Sequence, residues 1–94
     1  MPADRIARQV RVEGQVQGVG FRAFVCDAAE AAGVAGHVRN MSDGSVDALL
    51  VGEESAVERV EAAIRRGPPG SQVERVSSEA ADVTFTPTGF SITR

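Results

Sequence analysis

The sequence predicts an α+β fold in which two helices pack on one face of an antiparallel sheet. Three local signals support this prediction. A stripe of apolar residues at helical spacing follows a glycine-rich segment, Asp43-Gly44 separates two strand-like segments, and Ser55-x-x-Glu58 has the form of a capping box. The elements then follow the order strand, helix, strand, strand, helix, strand, with a short extra strand at the end.

The first strand and the first helix are predicted from apolar periodicity. Residues 6–12 alternate in part, with Ile6, Val10 and Val12 on one face, which is typical of a half-buried strand. The next segment carries a single helical stripe, formed by Phe21, Phe24, Val25, Ala28, Ala29 and Ala32. Gly33 is expected to end this helix.

A hairpin is predicted for the middle of the chain. Residues 36–41 and 45–51 have strand-like composition, and they are joined through Ser42-Asp43-Gly44. An Asp-Gly pair between two such segments is a strong signal of a tight hairpin turn.

The second helix is predicted to begin at the Ser55-x-x-Glu58 capping box and to end at Gly67-Pro68-Pro69-Gly70. Its inward-facing positions are apolar, namely Val57, Val60 and Ile64. Residues 73–80 and 89–93 complete the set as strands.

This order of elements is the split βαβ arrangement of ferredoxin-like βαββαβ folds. The expected sheet order is 4-1-3-2, so the first two strands are parallel and the third runs between them. Their carboxyl ends then lie on one rim of the sheet, and the loop after the first strand should meet the end of the second. We expect residues 1–94 to form a single domain.

Composition and charge exclude several function classes. The 94 residues carry 13 Asp and Glu against 10 Arg and no Lys, for a net charge of −3, which disfavours a nucleic-acid-binding surface. The single Cys26 excludes a disulfide framework and a multi-cysteine metal site, and its place in a helical stripe favours core packing over nucleophilic chemistry. With no long apolar run and a polar, charged start as far as Arg11, we expect a cytoplasmic monomer without a membrane partner.

The loop Gly14-Gln15-Val16-Gln17-Gly18-Val19-Gly20-Phe21-Arg22 can bind an oxyanion. Glycine lets consecutive backbone N–H groups turn inward, and the first turn of a helix adds unpaired donors and a partial positive charge. Arg22 adds a permanent charge whose planar donors match two phosphate oxygens. Such a site would need no metal ion.

The glycine-rich loop also permits other interpretations. Gly18-x-Gly20-x-x-Ala23, with Asp43 downstream, fits a loose dinucleotide-binding fingerprint, although that fingerprint belongs to a much longer doubly wound domain. A nucleotide P-loop would end in Gly-Lys-Ser/Thr, and the chain contains no such triplet. A plain glycine-rich turn between strand and helix remains open.

Asn40 is the second candidate, because the end of the second strand can face Arg22 across the rim. A carboxamide can hold a water in line with a phosphorus atom while Arg22 and the loop amides hold the oxygens. The alternative is that Asn40 bonds nearby backbone beside the turn. Asp43 is interpreted as a turn residue and His37 as a partly exposed packing residue, and a single histidine supports no Ser-His-Asp or Cys-His site.

Two motifs carry a resemblance to a known family. They are Gly14-x-Val16-Gln17-Gly18-Val19-Gly20-Phe21-Arg22 and Gly36-x-Val38-x-Asn40-x-x-Asp43-Gly44-x-Val46. Their spacing, the Gly67-Pro68 turn and the closing Gly89-Phe90-x-Ile92 also match, so the likeness covers nearly the whole chain. On these residues the chain resembles the acylphosphatases.

The resemblance implies an enzyme without cofactor or metal that cleaves the carboxyl-phosphate anhydride of acyl phosphates, such as acetyl phosphate, carbamoyl phosphate or an acylated phosphoglycerate. It implies that Arg22 binds phosphate, that Asn40 orients the attacking water, and that the substrate's own phosphate accepts the proton. It also implies a phosphate cradle of backbone amides, contributed by Gln17, Gly18, Val19, Gly20 and Phe21. Inorganic phosphate or sulfate should compete for this cradle.

Two positions depart from the family pattern. His37 stands where a large aromatic such as Trp is often found and Asp47 where Glu is frequent; both lie outside the candidate site.

Three other functions compete with acyl phosphate hydrolysis. The first alternative is a non-catalytic relative that only binds the anion, like the domain at the start of carbamoyl-phosphate-using maturation proteins. An RNA-binding module would show stacking aromatics in residues 45–51, and a heavy-metal-binding domain would need a Cys-x-x-Cys pair.

Overall fold

The structure, a computed structural model, describes residues 5–83 and 87–93. Its elements in chain order are β1 (Arg5–Gln15), α1 (Phe21–Ala32), β2 (Ala35–Asn40), β3 (Val46–Glu53), α2 (Glu54–Arg66), β4 (Gln72–Ala80) and β5 (Phe90–Thr93). The predicted βαββαβ order with a short extra strand is confirmed. The largest difference in length is at β1, which continues past its predicted end at Val12 and so carries the chain further toward the glycine-rich loop.

The five strands form one sheet in the order β4-β1-β3-β2-β5. Pairing is antiparallel between β1 and β3, β1 and β4, and β2 and β3, as predicted for the four main strands. The extra strand differs, because β5 pairs with β2 in parallel and makes the sheet mixed. As a result β1, β2 and β5 all run in the same direction, and their carboxyl ends share one rim.

The core lies between the sheet and the two helices, and it is almost entirely aliphatic. Helix α1 packs beside α2 and against β2 and β5, whereas α2 packs against β1, β3 and β4. The largest fully buried side chains are Phe21, Leu50, Ile64, Val10, Val12, Val16, Val25, Val38, Val46, Val57 and Val60. In the part of the chain that the structure describes, neither helix combines the length and the apolar character that a membrane crossing requires.

The predicted capping box at the start of α2 is wrong. The helix begins at Glu54, and Glu53 is the N-cap residue, in an extended conformation with φ −64° and ψ 146° and without a side-chain capping hydrogen bond. Strand β3 runs through Glu53 directly into the helix, so Ser55 already lies in the first turn and cannot occupy the cap. The negative charge of Glu54 in that turn still favours the positive end of the helix.

A buried polar contact fixes α2 over the sheet. Glu61 of α2 is only 7% exposed. Its Oε2 accepts hydrogen bonds from Ser78 Oγ of β4 at 2.7 Å and from Arg8 Nη1 of β1 at 3.4 Å. Because a buried carboxylate is stable only with such partners, the contact specifies how the helix sits across these two strands.

Candidate active site

A small cleft opens at the rim where the carboxyl ends of β1, β2 and β5 meet. Its volume is about 220 Å³, below the roughly 300–1,000 Å³ of sites for drug-sized ligands. The cleft is lined by Val16, Gly18, Gly20, Phe21, Arg22, Ala23, Asn40 and Ile92. The loop after β1, the first turn of α1 and the end of β2 therefore face one space of a size suited to a small ligand.

The loop conformation depends on two glycines with positive φ. Gly18 has φ 78° and Gly20 has φ 77°, whereas Val19 between them has negative φ. Alternation of this kind turns successive N–H groups toward one side, which forms an anion-binding concavity. A Cβ at either glycine would meet no atom within 4 Å, so these positions require glycine for its conformation and not for lack of space.

Within residues 5–83 and 87–93, the amino-terminal end of α1 has no side-chain cap. Gly20 is the N-cap residue, without a side-chain capping hydrogen bond, and the first turn contains no acidic residue. The first intrahelical bond runs from Phe24 N–H to Gly20 O at 3.0 Å, so the N–H groups of Phe21, Arg22 and Ala23 have no acceptor within the helix. In contrast to α2, which begins with Glu53 and Glu54, the positive end of α1 remains available to an anion in the cleft.

The side chain of Arg22 is held in place by β5. Its Nη1 donates a hydrogen bond to the backbone oxygen of Thr93 in β5 at 3.1 Å. The residue before it, Phe21, is buried in the core and packs against Phe24, with ring centroids 6.2 Å apart. The backbone beside Arg22 is thus held by a buried neighbour and the guanidinium by a carbonyl, while the other guanidinium donors can serve a ligand.

Asn40 is the last residue of β2 and pairs with Val46 of β3. The local turn does not depend on it, because Asp43 performs the side-chain role there. Asp43 Oδ1 accepts hydrogen bonds from Ser45 N–H at 3.0 Å and from Ser45 Oγ at 2.7 Å. The interpretation of Asp43 as a turn residue is therefore supported, and Asn40 lines the cleft together with Arg22.

The two remaining members of the predicted cradle do not line the cleft. Val19 packs against the hydrophobic core. The side-chain amide of Gln17 points to the turn after β2, where Nε2 donates hydrogen bonds to the backbone oxygens of Met41 at 2.8 Å and Ser45 at 2.9 Å. Among the described residues, five of the seven predicted site residues line the cleft, and these two lie outside its lining.

Sequence reasoning missed the contribution of β5 to the site. Ile92 lines the cleft and Thr93 holds Arg22, yet neither was a candidate. The alternation of Phe90 and Ile92 indicated a strand but not its neighbour in the sheet. Only the parallel pairing of β5 with β2, in which Thr93 aligns with Arg39, brings these residues to the rim.

Cys26 has surroundings that agree with a packing role, and His37 is partly exposed, as predicted. Burial raises the pKa of the Cys26 thiol, with smaller contributions from Glu30 and Asp27, so the thiol is disfavoured as a nucleophile. His37 is half-buried on the open face of the sheet, and its Nδ1 makes no hydrogen bond within residues 5–83 and 87–93.

The fold and the cleft together define a class, the ferredoxin-like α+β domains with a glycine-rich loop that leads into a helix amino terminus. The comparisons with known proteins refine this class. The family model for Acylphosphatase matches residues 8–92. The acylphosphatase of Sinorhizobium medicae (strain WSM419) is 48% identical over 94 residues, which cover 100% of both chains.

Solved structures agree with this result. The acylphosphatase from Bacillus subtilis superimposes with a TM-score of 0.91 at 36% identity, covering 95% of this chain and 99% of that one. Full-length HypF in its phosphate- and nucleotide-bound form superimposes with a TM-score of 0.87 at 33% identity, covering 96% of this chain and 12% of HypF. The chain belongs to the acylphosphatase family, a family of enzymes that hydrolyse acyl phosphates.

Proposed function

We propose that this chain hydrolyses the carboxyl-phosphate anhydride of small acyl phosphates, such as acetyl phosphate, carbamoyl phosphate or an acylated phosphoglycerate. The products are the carboxylate and inorganic phosphate. One observation carries the proposal: Arg22, the uncapped amino terminus of α1 and Asn40 all border the same cleft.

In this proposal Arg22 and the loop amides bind the phosphoryl group. The guanidinium and the N–H groups of the glycine-rich loop and the first turn of α1 surround the phosphoryl oxygens and stabilise the charge on them as the anhydride bond breaks. These donors are preorganised, because two glycines set the loop and Thr93 fixes one edge of the guanidinium. We expect the acyl group of the substrate to contact few polar groups, so the phosphate group supplies most of the binding specificity.

Asn40 acts on the other side of the reacting phosphorus. Its carboxamide holds a water so that the water oxygen attacks phosphorus in line with the departing carboxylate. Because a carboxylate is a good leaving group, little acid catalysis is needed. Among the described residues that line the cleft, none is Asp, Glu or His, and we propose that a phosphate oxygen of the substrate accepts the proton of the water.

The proposal predicts that Arg22→Ala and Asn40→Ala each lower kcat/KM for acetyl phosphate by about 10² to 10³, the size of effect expected for one preorganised donor. Turnover is measured beside circular dichroism to show that each variant is folded. Arg65→Ala, which removes an exposed arginine on α2, is the control and should keep full activity. Unchanged turnover in either folded site variant contradicts the assignment.

A second function has an observation in its favour, namely the match to a domain-sized part of HypF. In that alternative the cleft binds an anion without hydrolysis. A panel of acyl phosphates, phosphate esters and ATP, with inorganic phosphate and sulfate as competitors, separates the two. Cleavage of the anhydrides alone, inhibited by either anion, supports the enzyme; anion binding without any turnover supports the binding domain.

A further inference from the structure

The side chain of Gln17 joins the glycine-rich loop to the turn that follows Asn40. A carboxamide nitrogen has two hydrogens, and both find backbone oxygens of that turn. Nε2 lies 2.8 Å from Met41 O and 2.9 Å from Ser45 O, contacts that span 24 and 28 positions of the chain. One side chain of the loop therefore bonds to both ends of the connection between β2 and β3.

The turn itself is a closed, internally bonded unit. Met41 N–H donates to Ser45 O at 2.8 Å, and Gly44 N–H donates to Met41 O at 3.1 Å. Asp43 adds its hydrogen bonds with Ser45, which is itself only 3% exposed. Since residue 41 follows Asn40 directly, anything that holds this turn also holds the backbone of Asn40.

The sheet alone does not make this connection. Strand β3 lies between β1 and β2 in the sheet, so no ladder hydrogen bond joins the end of β1 to the end of β2. The loop after β1 and Asn40 at the end of β2 share the cleft across that separation. Within the glycine-rich loop, among the described residues, Gln17 is the residue whose side chain bonds to the turn after Asn40. Arg11, which lies further back on β1, also reaches this turn through Asp43.

We propose that Gln17 is a positioning residue, which sets the distance between the phosphate-binding loop and Asn40 and so aligns the attacking water with the bound phosphoryl group. The inference rests on the proposed function. It assigns to the Gln17 side chain a role separate from that of its backbone amide. The effect is expected on the chemical step, because displacement by about 1 Å of a group that orients a reactant can lower a rate by about 10².

The local structure does not depend on Gln17 for satisfied hydrogen bonds. Met41 O also accepts from Gly44 N–H, and Ser45 O also accepts from Met41 N–H. Replacing the amide by an apolar group of similar length therefore leaves both oxygens with a donor. Gln17→Met should keep the turn and the fold while it breaks the link between loop and turn.

The test compares Gln17→Met with Gln9→Met. Gln9 is a suitable control because its Nε2 also donates to a backbone oxygen distant in the chain, that of Ala48 at 3.3 Å. Unlike Gln17, it lies within β1, and its hydrogen bond goes to β3 and not to the turn after Asn40. We expect Gln17→Met to lower kcat for acetyl phosphate by about 10- to 100-fold, with a much smaller change in the inhibition constant of inorganic phosphate. Gln9→Met should leave both quantities unchanged.

A double-mutant cycle separates positioning from general stability. If Gln17 acts through Asn40, Gln17→Met adds little loss in an Asn40→Ala background. If the decreases in kcat caused by the two substitutions multiply in the double variant, the inference is overturned. It is also overturned if a folded Gln17→Met variant keeps the kcat of the parent chain. If Gln17→Met does not fold, Gln17→Asn enters the same cycle, since it keeps the donors but shortens their reach.

Amide hydrogen exchange at Met41 and Gly44 distinguishes failure of this inference from failure of the proposed function. These two amides report on the turn without any turnover assay. Faster exchange in Gln17→Met than in Gln9→Met supports the link, and equal exchange overturns it. If the parent chain cleaves no acyl phosphate, the proposed function fails and the exchange result still decides on the link.

Discussion

At the scale of single residues, Asp43 has a local environment that strongly favours its charged form. Hydrogen bonds from the Ser45 hydroxyl and backbone N–H are the main cause, and Arg11 contributes a further hydrogen bond and an opposite charge. Together they lower the pKa of Asp43 from its ordinary value of 3.8 to about 2. The Asp43 carboxylate, which stabilises the turn after Asn40, therefore stays negatively charged in moderately acidic solution.

This lowered pKa makes a prediction about stability and pH. Between about pH 4 and pH 2 the unfolded chain binds a proton at Asp43 that the folded chain does not, so the stabilisation is complete above this range and is lost as pH falls through it. Urea denaturation across the range should show a steeper loss of the free energy of unfolding in the parent chain than in Asp43→Asn. Parallel pH profiles for the two chains would show that Asp43 contributes nothing.

The residue scale also shows what a sequence can reveal about a site. Gly18, Gly20, Arg22 and Asn40 could be predicted, because the need for positive φ, a permanent charge or a carboxamide is visible in the residue type. The contacts of Gln17 with Met41 and Ser45 could not, since the same amide is equally suited to water. They depend on which backbone oxygens the fold brings within 3 Å, across more than 20 positions of the chain.

At the scale of elements, the close pairing of β2 with β3 depends on Gly36. Its φ is 136°, and a Cβ built there would overlap the backbone oxygen of Leu49 on β3. Backbone atoms of a central strand cannot move aside as the end of a flexible side chain could. This position therefore tolerates no side chain without a shift of the strand that leads to Asn40.

Gly36→Ala should lower the free energy of unfolding by about 2 to 3 kcal/mol through strain and overpacking. Gly52→Ala on the neighbouring strand β3 is the matched control, because its Cβ would make only ordinary contact with Val34, at 3.5 Å or more. Chemical denaturation of both variants measures the difference. Equal free energies of unfolding for Gly36→Ala and Gly52→Ala would mean that β2 and β3 can move apart to admit a side chain at residue 36.

Elements were predictable in type and order, but not always in their connections. The periodicity of α1 and the Asp43-Gly44 turn are local properties, so they could be interpreted directly. The start of α2 was misplaced because Ser55 is a plausible cap by residue type, whereas β3 continues into the helix through Glu53. The partner of β5 is a property of the whole sheet, and no residue between Phe90 and Thr93 specifies it.

At the scale of the whole molecule, a bound anion should stabilise the fold as well as inhibit turnover. The cleft takes its lining from the loop after β1 and from α1, β2 and β5, so it exists only when these elements are assembled. A ligand that binds only the folded state then raises its stability by mass action.

Inorganic phosphate at about 100 times its dissociation constant should raise the free energy of unfolding by about 2.7 kcal/mol, which is a Tm increase on the order of 10 °C for a domain of this size. Thermal denaturation with phosphate and with chloride at equal ionic strength tests this. Arg22→Ala should abolish the difference, and Arg65→Ala should preserve it. A phosphate effect of the same size in Arg22→Ala would place the anion elsewhere on the protein.

The bond between Arg22 and Thr93 joins the start of α1 to a four-residue strand at the edge of the sheet, 71 positions away in the chain. Edge strands fray before central ones, because they are paired on one side only. Fraying of β5 would release the guanidinium while the other four strands stay paired. Under the proposed function, we therefore expect warming to disorder the phosphate-binding charge before the protein melts. We expect acyl phosphate hydrolysis to be lost at a lower temperature than the packing of the valine core.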